Sequence, residues 1–448
     1  MTRRDLLASL PPFALGARAI AAGPADYTLR IAPAAIEIAP KRIIKTTAYN
    51  GMVPGPVLRM REGRPVSIEL FNDSAIPEIV HWHGLFSPPD VDGSAEEGTP
   101  FLTPRANRRI ELVPHPSGTR WYHSHISAGR DLNRATYTGQ FGFLLVDDGH
   151  DPGRYDRELL LALHGWRPFL GGKQGGGEGD ESGLEVGYNA YTVNSHMLGA
   201  GEPVRVKPGE RLLLRILNAN ATEVHRLALP GHRFQVIALD GNPVPSPQPV
   251  PVLELASAER ADVIVEMDHP GVWILGDVDA RMRRLGLGTV VEYAGRSGEP
   301  QWIDPPSEPW DYTRFGTSAS PARPPAEPIP LIFKSKWAGN RWVEHWTING
   351  KEFPKTDPIR VRANGRYRLI FDNQSDDMHP VHLHRHTFEL VSVAGKPTAG
   401  VRKDVVSVPP RSKTEVELIA ANPGPSLFHC HMQLHMDFGF MAMMEYVS

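Results

Sequence analysis

Four short segments of this chain each set two histidines one residue apart. They read HWH (His81, His83), HSH (His123, His125), HLH (His382, His384) and HCH (His429, His431). In an extended strand, residues i and i+2 face the same way, so each pair presents two imidazoles side by side. Two pairs lie early in the chain and two near its end. If the segments that carry them pack together, eight imidazole nitrogens converge. Eight such ligands suit three metal ions, with ligand sets of three, three and two. Imidazole serves Zn, Cu, Fe and Ni alike, so histidine alone does not choose the metal.

The residues left over narrow the choice. Cys430 is the only cysteine of the chain and sits between His429 and His431. Its side chain should point away from theirs, toward the opposite face of the strand. His379 and His435 also remain. Two His and one Cys make the trigonal set of a blue-copper electron-transfer site. One His-x-His by itself is more often a polar surface strand. Four pairs, one of them enclosing the lone cysteine, fit that reading poorly. A structural zinc site would want four ligands, usually with more cysteines.

The chain also repeats itself. MREGRPVSIELFNDSA (60–75), VKPGERLLLRILNANA (206–221) and VRANGRYRLIFDNQS (361–375) share a Gly turn, an apolar-rich strand and an Asn-containing turn. SGTRWYHSHI (117–126) matches GPSLFHCHMQ (424–433). Repeats this long indicate duplicated domains, since a solenoid has a far shorter period. We place domains at 25–150, 155–295 and 329–448, with 296–328 as a Pro-rich linker running over the surface. With 42 Gly and 43 Pro punctuating short β-rich runs, the expected class is all-β, built of sandwiches or barrels. GGKQGGGEGDESG (171–183) is too Gly-rich to pack and reads as a loop.

Arg3 and Arg4 precede a modest apolar stretch that ends in small residues, which predicts a twin-arginine-type export signal over 1–24 and a periplasmic or secreted protein. Pro11 and Pro12 interrupt that stretch, and no later run has transmembrane length. A net charge of −3 gives no pull toward nucleic acid.

At these motifs the chain resembles the three-domain, laccase-like multicopper oxidases, and the resemblance spans nearly all of it. It implies three cupredoxin-like Greek-key β-sandwich domains. It implies four copper ions: one type 1, one type 2 and two type 3. By the same resemblance the type 1 copper is held by His379, Cys430 and His435. The type 2 copper is held by His81 and His382. One type 3 copper takes His83, His123 and His431, and the other takes His125, His384 and His429. The implied reaction draws single electrons from a reducing substrate and reduces dioxygen to water. The family places an acidic residue near the type 2 copper where this chain has Asp92, which could relay protons to dioxygen. The family's axial type 1 position falls on Phe440, which has no ligand atom, with Met441 one step away. A carboxylate that often follows the last type 1 histidine is replaced by Met436.

The reductant is less legible. A high type 1 potential favours phenols and aromatic amines. The methionines near the end of the chain, Met436, Met441, Met443 and Met444, keep Cu(I) open as a substrate, because thioethers bind it. Core packing is the plainer role for them. His115, His164, His225, His232 and His386 read as structural. A monomer is expected.

Overall fold

The computed structural model describes residues 23–150, 153–172, 184–318, 326–336 and 344–448. The paired arginines of the expected export signal and most of the Gly-rich stretch 171–183 lie outside the described residues.

Strands dominate because the sequence alternates. RYRLIFDN, the strand Arg366–Asn373, buries every second residue, and Val66–Asn72 does nearly the same. Such strands have one face for a core and one for water or a neighbour. Among the described residues they assemble into six sheets, two each within residues 27–147, 157–293 and 327–446. The threefold repeat of the sequence is a threefold repeat of topology. In the third sandwich one sheet runs Ile359–Val361, Met441–Tyr446, Ser426–Cys430, His379–Leu383, Val405–Val408. Its first pair is parallel and the rest antiparallel. The first sandwich repeats the order with Leu58–Arg61, Phe141–Asp147, Gly118–Ser124 and Val80–His81. The second repeats it with Val204–Val206, Gly288–Tyr293, Val272–Asp277, His225–Ala228 and Leu253–Leu255. All three are cupredoxin-like.

The first sandwich has its own core, around Leu29, Ile68, Leu70, Trp82 and Leu144. A second cluster joins all three sandwiches. It holds Ile38, Trp121 and Phe143 of the first, Trp166 and Leu217 of the second, and Val405 of the third. Between the second and third sandwiches, the turn Tyr312–Phe315 buries Tyr312 and Phe315, and the Tyr312 hydroxyl donates to Glu259. No described helix is long and apolar enough to cross a membrane.

Candidate metal centre

Register brings the histidines together. His81 pairs across the sheet with His123, and His382 with His429. The first and third sandwiches then meet along these strands. The His81 ring stacks on His384, with centroids 3.9 Å apart, and His83 stacks on His382 at the same separation. His125 lies 4.8 Å from His384 and 5.2 Å from His429. His431 lies 5.1 Å from both His83 and His123. All eight are buried.

Each of these imidazoles has an outer and an inner nitrogen, and most outer ones are accounted for. Nδ1 of His81 donates to the Asp92 carbonyl, of His123 to the Ser124 carbonyl, of His382 to the Asp404 carbonyl and of His429 to the Cys430 carbonyl, all at 2.7–2.9 Å. Nδ1 of His384 donates to the Asp92 carboxylate at 2.9 Å. His431 Nδ1 meets the Ser257 hydroxyl at 3.3 Å. A carbonyl accepts only, so the bonded nitrogen carries the proton and the other is bare.

Those bare nitrogens point into the cluster. Nε2 of His81, His123, His125, His382 and His431, and Nδ1 of His83, are buried with no hydrogen-bond partner. Nε2 of His384 and of His429 face each other at 3.1 Å. Burial also drives protonation down, to about 3 for His125 and about 4 for His382. Neutral imidazoles with unpartnered inner nitrogens are the donor set a metal cluster needs. Donor atoms of His81, His382 and His384, and of His125, His384 and His429, lie within 4.8 Å of one another.

Cys430 opens on the other side of its strand. Its sulfur is 3.7 Å from His379 Nδ1 and 3.5 Å from His435 Nδ1, and those two nitrogens are 3.1 Å apart. The Ser375 hydroxyl holds His379 by Nε2 at 2.8 Å, and the Trp346 ring stacks on His435 at 4.0 Å. The Phe440 ring stands perpendicular to His379 at 4.7 Å. Met441 instead packs with Leu427 and Met436 in a separate cluster.

Asp92 is fully buried behind His81 and His384. Its carboxylate lies 3.2 Å from His81 Nδ1 and accepts from Ser87 Oγ at 2.6 Å. Sequence reasoning missed four other groups. Glu97 accepts from the Leu427 amide at 2.6 Å and lies 3.4 Å from His384 Nδ1. Burial and the charge of Asp92 raise its pKa. Burial also pushes Asp92 up, but His81 beside it brings its pKa down. Asp404 lies 3.1 Å from His83 Nε2. Ser257 reaches His431 from the second sandwich. Glu185 stands 3.8 Å from His435 Nε2, on the side where the carboxylate is part-exposed. All four are remote in sequence from the histidines they touch, so spacing offers no signal for them. Of the histidines read as structural, His386 and His232 are held at both nitrogens, and His164 and His225 through Nδ1.

Three family models, each described as multicopper oxidase, match residues 31–151, 175–285 and 324–447. The chain is 32% identical to multicopper oxidase MmcO of Mycobacterium tuberculosis, over 94% of this chain and 86% of that one. It is 22% identical to the copper resistance protein A homolog of Pseudomonas syringae pv. tomato, over 87% of each. The crystal structure of a multi-copper oxidase from Pseudomonas thermotolerans superposes with a TM-score of 0.73 at 26% identity, covering 94% of this chain and 98% of that one. With matched models over most of its length and a relative this similar, the chain belongs to the multicopper oxidase family.

Proposed function

We propose that the chain is a laccase-like oxidase of phenols or aromatic amines that holds four copper ions. Bound copper would supply one-electron redox chemistry, joining oxidation of the substrate to the four-electron reduction of dioxygen to water. His379, Cys430 and His435 would hold the type 1 ion, and His81 and His382 the type 2 ion. His83, His123 and His431 would hold one type 3 ion, and His125, His384 and His429 the other. The unpartnered inner nitrogens support this assignment.

The observation that carries the substrate class is Glu185. A phenol that loses one electron also sheds a proton, and a carboxylate 3.8 Å from His435 Nε2 stands ready to accept it. Asp92 and Glu97 flank the histidine cluster at His384 and would hold and pass the protons that dioxygen reduction consumes. Asp92→Asn should slow reoxidation of the reduced enzyme by dioxygen while its reduction by substrate keeps the wild-type rate. Stopped-flow measurement of the two half-reactions checks this.

A relative named for copper resistance supports a rival reading, a periplasmic oxidase of Cu(I) or another metal ion. The packing of Met436 and Met441 against Leu427 favours the core role for those thioethers. Export through the paired arginines and a monomeric state belong to the same proposal.

The first test is an absorption and EPR spectrum of the copper-loaded protein. An intense thiolate-to-copper band, a near-ultraviolet band and two distinct Cu(II) signals are expected. A colourless protein that takes up zinc would end the reading. Steady-state turnover of a phenol series against Cu(I) then separates the two substrate classes.

A further inference from the structure

We infer that the Asp404 carboxylate is a positioning group that selects which nitrogen His83 turns toward the histidine cluster. The inference rests on the copper reading above. Of the eight cluster histidines, His83 alone presents Nδ1 inward, with the Nε2 edge turned out. The residue it meets there is Asp404, at 3.1 Å from Oδ1.

Asp404 is fully buried, and three sandwiches meet on it. Arg260 of the second grips it with two parallel bonds, Nη1 to Oδ1 at 2.7 Å and Nη2 to Oδ2 at 2.6 Å. Arg120 of the first adds Nη1 to Oδ2 at 3.2 Å. Oxygens gripped by guanidinium N–H groups act as acceptors only. His83 must therefore donate from Nε2, which leaves Nδ1 bare. The backbone carbonyl of the same residue fixes His382, whose ring stacks on His83. One residue of the third sandwich thus sets two imidazoles from different sandwiches.

Gly84 makes room for the arrangement. Its φ is +85°, and a Cβ there would lie 2.6 Å from Asp404 Oδ2 and 2.9 Å from Arg120 Cδ. Groups that hydrogen-bond a ligating histidine fix its tautomer and ring direction, and their loss commonly weakens metal binding about 10–100-fold.

The plainer alternative is that Asp404 only neutralises two buried arginines. The site at Cys430 lies on the other side of its strand from the histidine cluster, so it serves as an internal control. In Asp404→Ala, the thiolate-to-copper band should stay while the near-ultraviolet band falls. Retention of the cluster copper against a chelator should weaken about 10–100-fold. A double variant, Arg260→Met with Asp404→Leu, removes the carboxylate together with the guanidinium that grips it by two bonds, while Arg120 keeps its bonds to the Asp240 and Ser117 carbonyls and to Asn242, so that the same ratio of bands is read on a protein with less unpaired buried charge. A wild-type ratio and wild-type copper retention in these variants would overturn the inference, even if their melting temperatures fall. A wild-type protein with no thiolate band would instead overturn the copper reading on which it rests.

Discussion

Phe440 shows how much one side chain can set. Its ring fills the space beside His379, and its backbone carbonyl accepts from the Cys430 amide at 3.2 Å. It brings no donor atom to the sulfur site. A site with fewer donors disfavours Cu(II) relative to Cu(I), so its potential should be high. Phe440→Met should lower the potential, read by redox titration of the thiolate band; an unchanged value would refute the account. Glu78 makes a second case, bonded to Ser124 between His123 and His125. It is buried and accepts from Ser124 Oγ and Gln140 Nε2. Burial raises its pKa from 4.5 to about 7, against the pull of those bonds. The folded state therefore keeps this proton where the unfolded chain has lost it. Stability should fall as pH rises from about 4.5 to 7, by about 3 kcal/mol, and level off above. Glu78→Gln should flatten that part of the profile in denaturant titrations.

The recurring element is a strand that ends in a buried asparagine. Asn72, Asn218 and Asn373 close the strands Val66–Asn72, Arg211–Asn218 and Arg366–Asn373. Each amide nitrogen donates to carbonyls on two segments: Ile76 and Leu102, Glu223 and Leu255, Asp377 and Val408. Each Oδ1 accepts from the amide two residues on. The side chain thus does for a turn what a ladder does for a strand. Asn218→Ala strands one buried and one half-buried carbonyl and one buried amide, and should cost about 3 kcal/mol of stability in a denaturant titration. These turns and the His-x-His pairs were legible in the sequence because their chemistry is local: period two on a strand, an amide at a fixed offset. Asp404, Glu97 and Glu185 were not legible. Asp404 meets His83 across 321 positions of sequence, through a domain contact that no local pattern encodes.

The whole molecule separates tasks among its three sandwiches. The first and third supply the histidines; the second supplies Arg260, Ser257 and Glu185, which touch them or their supports. Metal bound between the first and third would act as a cross-link. Removing copper should lower the melting temperature, and metal in thousandfold excess over its dissociation constant corresponds to about 4 kcal/mol. Calorimetry of the loaded and chelated protein measures this. Domain number and class were readable from the repeats, while the way the sandwiches dock was not, because it rests on apolar contacts and buried ion pairs between distant residues. Cys430 is the chain's one thiol and is fully enclosed. An alkylating reagent can therefore label a molecule only after its third sandwich has opened, and then only once. The protein carries its own record of opening, in which label per chain equals the fraction of molecules that have opened at least once.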